Sequence, residues 1–163
     1  MSSSAAIVIY TTPFGDGWVA FSGESILELG LPGSEPPYTG DVEAPARVSA
    51  LAAQLERYWQ GGPLPEVPGD LLEAVATTAL TGDIYREVVS IPAGTTMTYA
   101  AVAESVGHPG AARAVGAAMA ANRLAPLIPC HRVVGTDGSL RGYAGGLEMK
   151  RHLITMEAGS GSG

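Results

Sequence analysis

The sequence predicts an α+β fold with two parts: a small antiparallel sheet at the N-terminus and a mostly helical C-terminal part. Three observations support this prediction. Short alternating segments separated by turn residues fill the first thirty residues, helical spacing of apolar residues dominates afterwards, and two short helices joined by a glycine-containing turn are expected at residues 98–121. With 163 residues, the chain can form one domain, or two small ones, around a substantial core.

The N-terminal segment alternates between apolar and polar residues and is interrupted by turn residues at 13–16 and 23–24. Three strands in an antiparallel meander are therefore expected, at residues 6–10, 17–22 and 25–31. A helix is expected over residues 46–58, where apolar positions recur at helical spacing, and the Gly-Gly-Pro sequence at 61–63 ends it.

The rest of the chain is predicted to be largely helical because apolar residues recur every three to four positions. Four helical segments are expected, at residues 71–90, 99–106, 111–121 and 147–157. The first is expected to break at Gly82, and Thr98 can cap the N-terminus of the second. In the last segment the inner stripe is predicted to consist of Met149, Leu153 and Met156.

Composition excludes several classes of protein. Hydrophobic residues make up 46% of the chain, but no apolar run approaches the ~20 residues that span a bilayer. The N-terminus lacks the basic start and long apolar stretch of a secretory signal, and a single cysteine cannot form an internal disulfide. An intracellular protein is therefore expected. The Ser/Gly residues at 160–163 are typical of an artificial linker and are left out of the predicted fold.

The formal net charge of −7 argues against a strongly electropositive nucleic-acid surface. The charge is unevenly distributed, however. Residues 1–82 contain two basic and ten acidic side chains, whereas residues 83–163 contain seven basic and six acidic ones. A binding site in the second half therefore meets no general repulsion from DNA, and it gains no strong attraction either.

The only cysteine, Cys130, lies in an apolar stretch and is followed directly by His131 and Arg132. A thiol with an ordinary pKa of about 8.5 is only a few per cent ionised at neutral pH, and a neighbouring base or positive charge increases that fraction. Either neighbour can supply this effect. The alternative is a buried structural cysteine that packs as a small hydrophobe. The residues alone leave both readings open.

The predicted helix at residues 111–121 consists largely of alanine, and Arg113 carries its only charge. Small residues allow another backbone to approach closely, so tight packing against a neighbouring helix is one explanation. Arg113 lies near the helix N-terminus, where the helix dipole disfavours a cation. Its position favours an external anionic or base partner as the other explanation.

Metal and hydrolase chemistry fit the sequence poorly. The candidate soft ligands, Cys130 and the histidines at 108, 131 and 152, have no paired ligand spacing, so no metal site is predicted. A cysteine hydrolase normally takes its base from a distant part of the chain. Adjacent side chains on an extended segment also point to opposite faces, so a water bridge between Cys130 and His131 is more natural than direct contact.

One motif makes a family resemblance specific. Pro-Cys-His-Arg-Val at 129–133 resembles the active-site signature of the O6-alkylguanine-DNA alkyltransferases, also called methylated-DNA–protein-cysteine methyltransferases. Residues 84–159 follow the family in order and spacing. The resemblance implies a ribonuclease-H-like supporting domain over residues 1–75 and a winged helix-turn-helix-like, DNA-binding and catalytic domain over residues 76–159. Further matching positions are 91–95, 98–99, 111–116, 122, 141–147, 150 and 157.

The resemblance implies irreversible, single-turnover transfer of an alkyl group from O6-alkylguanine to Cys130, with O4-alkylthymine as a further candidate substrate. His131 takes the thiol proton through a water, oriented by Glu157. Tyr99 assists the departing guanine by donating a proton or hydrogen bond. No cofactor and no metal are implied. The base pocket is lined by Asn122, Met119, Val133, Tyr143 and Ala144.

The resemblance also implies that double-stranded DNA is the partner and that the damaged nucleotide is rotated out of it. Arg113 fills the vacated stack while its helix enters the minor groove. Small residues permit this approach, at Ala112, Ala114 and Gly116. Further residues fall at phosphate-contacting positions, namely Thr98, Ala100 and Thr136. A monomer without a membrane partner is expected.

Two positions depart from the family pattern: Arg123 replaces a common proline, and Tyr85 replaces the usual tryptophan. Two alternatives stay open. Alkyltransferase-like proteins recognise the same lesions without accepting the alkyl group, but they carry tryptophan at the cysteine position and lack the N-terminal domain. Cys130 therefore favours the enzyme. A cysteine hydrolase would turn over repeatedly, whereas alkyl transfer yields one equivalent of product.

Overall fold

The computed structural model describes residues 5–38 and 42–160, and the chain divides into two compact units. Unit 1 comprises Met1–Glu66 with Arg123–Ala125, and unit 2 comprises Val67–Asn122 with Pro126–Gly163. The chain therefore returns to unit 1 for three residues shortly before the cysteine. Of the predicted linker, residues 161–163 lie outside the described residues, and Ser160 is the last residue of the final helix.

The predicted α+β class is confirmed, and so is the N-terminal meander. Strands β1 (Ala6–Thr12), β2 (Gly15–Ser22) and β3 (Ser25–Gly30) pair antiparallel in the order β1-β2-β3. The two connections are tight turns, in which Gly15 and Gly23 have φ values of 109° and 57°. Both values lie in the left-handed region, which glycine adopts without steric cost.

Helix α1 (Ala46–Trp59) packs on the sheet of unit 1 through an apolar face, as its spacing predicts. The Tyr10 hydroxyl of β1 donates a 2.8 Å hydrogen bond to the Gly30 carbonyl, and burial raises the pKa of Tyr10. The returning segment joins this unit through its backbone, because the Leu29 N–H donates to the Arg123 carbonyl at 2.8 Å. Arg123, one of the two departures from the family pattern, thus contributes its main chain to unit 1.

Unit 2 begins with two helices, α2 (Gly69–Val75) and α3 (Ala79–Val89), and the predicted break at Gly82 is wrong. Gly82 lies buried within α3. The helical segment predicted over residues 71–90 is instead interrupted between α2 and α3, because Thr78 caps α3. The Thr78 Oγ1 accepts a hydrogen bond from the Thr81 N–H at 3.1 Å. An N-cap threonine satisfies an orphan helix donor, and here this local signal outweighs the helix-weakening tendency of glycine.

The predicted pair of short helices is confirmed as α4 (Tyr99–Ser105) and α5 (Ala112–Ala120). Thr98 caps α4, with its Oγ1 3.0 Å from the Ala101 N–H. Both helices pack against α3. The Tyr85 hydroxyl of α3 donates to the Ala118 carbonyl of α5 at 2.9 Å, so the second departure from the family pattern makes a buried hydrogen bond.

A two-stranded parallel pair that the sequence did not predict joins β4 (Met97–Thr98) to β5 (Val133–Val134). This pairing brings the start of α4 next to the residues that follow the cysteine. The last helix, α6 (Leu147–Ser160), extends three residues beyond its predicted end. Among the described residues, no helix combines the length and apolar character that crossing a bilayer requires.

Candidate active site

Cys130 begins a single 3-10 turn, Cys130–Arg132, rather than lying on an extended segment. Pro129, with ψ at 67°, redirects the chain, and the Arg132 N–H closes the turn on the Pro129 carbonyl at 2.9 Å. The expectation of alternating faces is therefore wrong. In a turn with three residues per revolution, three consecutive side chains point in three directions. Cys130 exposes 7% of its surface, whereas His131 is fully buried.

His131 and Glu157 form a buried pair, as the proposed role of Glu157 requires. Their Nε2 and Oε2 atoms lie 3.0 Å apart. Because α6 continues to Ser160, Glu157 is held inside the helix and is not part of a frayed, solvated end. Burial lowers the pKa of His131, and its hydrogen bond to the Glu157 carboxylate only partly opposes this shift. The imidazole is therefore neutral at pH 7 and can act as a base.

Arg132 does not activate the thiol, although its position in the sequence allowed this reading. Its Nε and Nη2 atoms bind the two carboxylate oxygens of Glu157 at 2.9 and 2.7 Å, and its Nη1 donates to the Ile91 carbonyl at 2.6 Å. All of these contacts are buried. The guanidinium thus fixes the carboxylate that faces His131, and it serves the site through Glu157.

The thiol of Cys130 is neutral in the resting protein, because burial raises its pKa. The two largest opposing effects are a hydrogen bond from the Asn122 side chain and the positive charge of Lys150. Asn122 also donates through Nδ2 to the Ile128 carbonyl at 2.8 Å. It therefore braces the segment that leads to the cysteine while contacting the sulfur. The Asn122 hydrogen bond and the Lys150 charge both favour the thiolate once a base accepts the thiol proton.

Lys150, a matching position to which the sequence analysis gave no role, lies in the site. The side chain is fully buried, and its Nζ donates to the Arg141 carbonyl at 3.2 Å and lies 5.9 Å from the centre of the Tyr99 ring. Burial lowers the pKa of Lys150, and Cys130 opposes this. The signal was present in the sequence: Lys150, Leu153 and Glu157 share one helical face, whereas Met156, predicted to face inward, is only half-buried.

Tyr99 and Tyr143 complete the polar cluster. Tyr99, the first residue of α4, is half-buried, and its pKa is raised by burial and by Cys130 and lowered by Arg141. Its hydroxyl is therefore protonated at neutral pH and can donate. Tyr143 presents an edge-on ring to His131, with ring centres 6.5 Å apart. Of the remaining predicted pocket residues, Met119 and Val133 are buried, and Ala144 is exposed on the loop before α6.

The predicted DNA-contacting residues lie on α5, at the start of α4 and just after β5. Arg113, Ala100 and Thr136 are exposed, whereas Thr98 and the small residues at 112, 114 and 116 are half-buried. A Cβ added to Gly116 would meet no described atom within 4 Å, apart from its own helix backbone. Close packing among the described residues therefore does not explain glycine at position 116.

Comparisons with known proteins show which family this chain resembles. The family described as 6-O-methylguanine DNA methyltransferase, DNA binding domain, matches residues 79–159. The methylated-DNA–protein-cysteine methyltransferase of Mycolicibacterium paratuberculosis is 40% identical over 128 residues, covering 76% of this chain and 73% of the relative. The Methanosarcina barkeri protein of the same name is 44% identical over 106 residues, or 65% of each chain.

Two crystal structures extend the similarity to the fold of nearly the whole chain. The Mycobacterium tuberculosis O6-methylguanine methyltransferase superposes with a TM-score of 0.75 at 32% identity, covering 96% of this chain and 94% of that one. The M. tuberculosis OGT in complex with DNA gives a TM-score of 0.75 at 31% identity, covering 96% and 93%.

Proposed function

The chain belongs to the methylated-DNA–protein-cysteine methyltransferases, and from this premise we propose that it repairs DNA by moving an alkyl group from guanine O6 to Cys130. The observation that carries the proposal is the buried contact of 3.0 Å between Glu157 of α6 and His131, which lies in the same short turn as the cysteine. A merely structural cysteine needs no buried ionisable pair beside it, because such pairs are costly to desolvate.

The reaction begins with removal of the thiol proton. Burial keeps Cys130 protonated and His131 neutral, so one group can give a proton and the other can take it. A water carries the proton between them. Glu157 then stabilises the imidazolium that forms, since a carboxylate 3.0 Å from Nε2 favours the charged ring. The Asn122 amide and the Lys150 charge stabilise the thiolate in the meantime.

Alkyl transfer follows as a displacement at the alkyl carbon. The sulfur of Cys130 forms the new S–C bond, the bond between that carbon and guanine O6 breaks, and its electron pair stays on the guanine. Tyr99 donates a hydrogen bond or a proton to the leaving base, which finally holds the proton that the thiol gave up. The thioether is stable, so each molecule reacts once.

The substrate is O6-alkylguanine in double-stranded DNA. Its O6 substituent is out of reach inside the base stack, so the nucleotide must be rotated out at a cost of a few kcal/mol. Arg113 is exposed on α5 and fills the vacated space. The small residues at 112, 114 and 116 let α5 enter a groove only ~6 Å wide, and Thr98, Ala100 and Thr136 contact phosphates. The protein acts as a monomer in the cytoplasm, and in a bacterial cell it would act at the nucleoid.

Intact-mass spectrometry after incubation with O6-benzylguanine tests the transfer. One benzyl group should be added per chain, on Cys130, and the reaction should then stop. The Cys130→Ser variant should gain no mass yet still bind duplex DNA. Continued release of product by the wild-type protein would indicate a hydrolase, and repair by Cys130→Ser would overturn the assignment of the nucleophile.

A second comparison tests extrusion of the nucleotide. Arg113→Ala should slow transfer from methylated duplex DNA far more than transfer from free O6-benzylguanine, because the free base needs no extrusion. Arg47→Ala, in unit 1, is the matched control. Equal losses on both substrates would show that Arg113 acts on the chemistry or on the fold.

A further inference from the structure

The distribution of positive charge in unit 2 leaves two arginines without a role. Among the described residues of this unit, six basic side chains occur. Arg132 and Lys150 are buried in the active site, and Arg86 binds Glu73 and Asp83. The remaining three are exposed, namely Arg113, Arg141 and Arg151. Arg113 lies on α5 and has been considered above, so Arg141 and Arg151 stay unassigned.

Arg141 is held in place at both its main chain and its side chain. Its carbonyl accepts the hydrogen bond from the buried Lys150 Nζ at 3.2 Å. Its guanidinium lies over the backbone of Gly135: a Cβ on that glycine would fall 2.5 Å from Arg141 Nε and 3.1 Å from Nη2. The absence of a side chain at position 135 therefore makes room for the guanidinium. This arrangement reduces the entropy lost when the arginine binds a partner.

The guanidinium lies on the side of the active site where Tyr99 opens α4. Lys150 links the two residues, because the Nζ that binds the Arg141 carbonyl also lies 5.9 Å from the centre of the Tyr99 ring. The positive charge of Arg141 correspondingly lowers the pKa of Tyr99. Thr136, which stands at a proposed phosphate-contacting position, directly follows the glycine that the guanidinium covers.

No strong ion pair occupies Arg141 within the described part of the chain. Its Nη2 lies 4.0 Å from Asp137 Oδ1, and both side chains are more than half exposed. Asp137 is engaged chiefly by Ser139, whose N–H donates to Oδ1 at 3.0 Å. An exposed contact at this distance is screened by water and is readily exchanged for a better anion.

We propose that Arg141 binds a backbone phosphate beside the extruded nucleotide, as a second arginine contact to DNA separate from Arg113. The inference rests on the proposed function, since it needs a DNA strand at the mouth of the site. A planar guanidinium fits a phosphate through two parallel hydrogen bonds, and an exposed arginine held over a glycine already has this geometry available. The contact anchors the strand whose nucleotide enters the pocket.

The binding test uses the Cys130→Ser background, so that no reaction intervenes, and a duplex carrying one O6-methylguanine. Arg141→Ala should weaken binding about tenfold, the effect expected for one charge-assisted hydrogen-bonded contact. It should also reduce the slope of log K against log salt by about 0.9, because one phosphate contact is lost. Arg141→Lys should recover the salt slope but only part of the affinity. Arg151→Ala removes an equal charge from α6 and should bind like the parent protein.

The transfer test uses the same substitutions with Cys130 intact. Arg141→Ala should slow transfer from methylated duplex DNA far more than transfer to Cys130 from free O6-benzylguanine, which needs no contact with a DNA strand. The inference is overturned if Arg151→Ala matches Arg141→Ala, if the salt slope does not change, or if both substrates lose rate equally. Failure of the proposed function looks different: the wild-type protein would then gain no alkyl mass from either substrate.

Discussion

Arg132 and Glu157 form a bidentate ion pair in the interior of unit 2, with Nε–Oε1 and Nη2–Oε2 distances of 2.9 and 2.7 Å. The same Oε2 atom lies 3.0 Å from His131 Nε2. One carboxylate therefore neutralises a buried arginine and orients the imidazole beside the cysteine. Stability and reactivity depend on the same side chain, and a change at position 157 affects both.

Replacing Glu157 by Gln should destabilise the protein by about 3–5 kcal/mol, because the Arg132 guanidinium stays buried without its charge partner. Urea unfolding followed by circular dichroism measures this loss. Glu73→Gln is the matched control, since it breaks an ion pair with Arg86 whose side chains are 68% and 49% exposed, and it should leave the free energy of unfolding nearly unchanged. If Glu157→Gln lowers the free energy of unfolding no more than Glu73→Gln does, the Arg132–Glu157 pair contributes little to stability.

Alkyl transfer from free O6-benzylguanine should stay fast as the pH is lowered below 6.5, the ordinary pKa of histidine, because burial lowers the pKa of His131. The rate should fall only when the pH reaches that lowered value. The free energy of unfolding also depends on this pKa. As the pH falls, His131 takes up its proton in the unfolded chain near 6.5 but in the folded protein only at lower pH. The free energy of unfolding therefore decreases as the pH falls from 6.5 through the pKa of the folded protein. His108→Gln, which removes an exposed histidine, should leave the pH profile of the rate unchanged. A midpoint above 6.5 contradicts a buried neutral base.

Replacing Asn122 by Ala should slow labelling of Cys130 by O6-benzylguanine by about ten- to a hundredfold, the effect of losing a hydrogen bond to a developing charge. The loss of the 2.8 Å bond to the Ile128 carbonyl adds freedom to the segment before the cysteine. Gln54→Ala, which removes an exposed amide from α1, is the control. Unchanged labelling in Asn122→Ala would show that the amide does not support the sulfur.

Lys150→Met should raise the pKa of the Cys130 thiol further, because the substitution removes the positive charge that favours the thiolate. Alkylation by iodoacetamide, followed as a function of pH, should then reach half its maximal rate at a higher pH than in the wild-type protein. Arg151→Met makes the same change of charge at the next, exposed position. If both variants shift the midpoint equally, the effect comes from net charge and not from the buried amine.

Gly116→Leu should not destabilise the protein, because a Cβ at this position meets no described atom within 4 Å beyond its own helix backbone, and leucine favours a helix by up to about 1 kcal/mol over glycine. Transfer from duplex DNA should nevertheless fall strongly while transfer from free O6-benzylguanine persists. Ala53→Leu places the same side chain at an exposed position of α1 and serves as the control. If Gly116→Leu repairs duplex DNA normally, the DNA does not approach α5 closely at Gly116.

Local signals predicted much of the fold. The meander followed from alternation between turn residues, and the start of α4 followed from Thr98, because each depends on neighbours in sequence. Gly82 misled the prediction, since a glycine inside a helix is tolerated when the true boundary has its own cap at Thr78. The parallel pairing of β4 with β5 joins residues more than thirty positions apart, and no local pattern specifies it.

In the candidate site, too, some features follow from neighbouring residues and others depend on residues far apart in the sequence. The motif around Cys130 predicts a nucleophile and its neighbours, but the roles of Arg132 and Lys150 depend on distant partners. Arg132 binds a carboxylate 25 positions along the chain, and only the fold reveals that its charge is neutralised there. Lys150 was detectable as a polar residue on the inner face of α6, a pattern that a search for hydrophobic stripes passes over.

The protonated, enclosed state of Cys130 has a consequence for how long the protein lasts in the cell. Peroxides and other electrophiles attack the ionised sulfur, and oxidation beyond the sulfenic acid is irreversible. If each molecule reacts once, as proposed above, it has no spare sulfur to lose in this way. Burial raises the thiol pKa and so protects the unreacted sulfur, and resting molecules should survive oxidative stress that inactivates ordinary low-pKa cysteine enzymes.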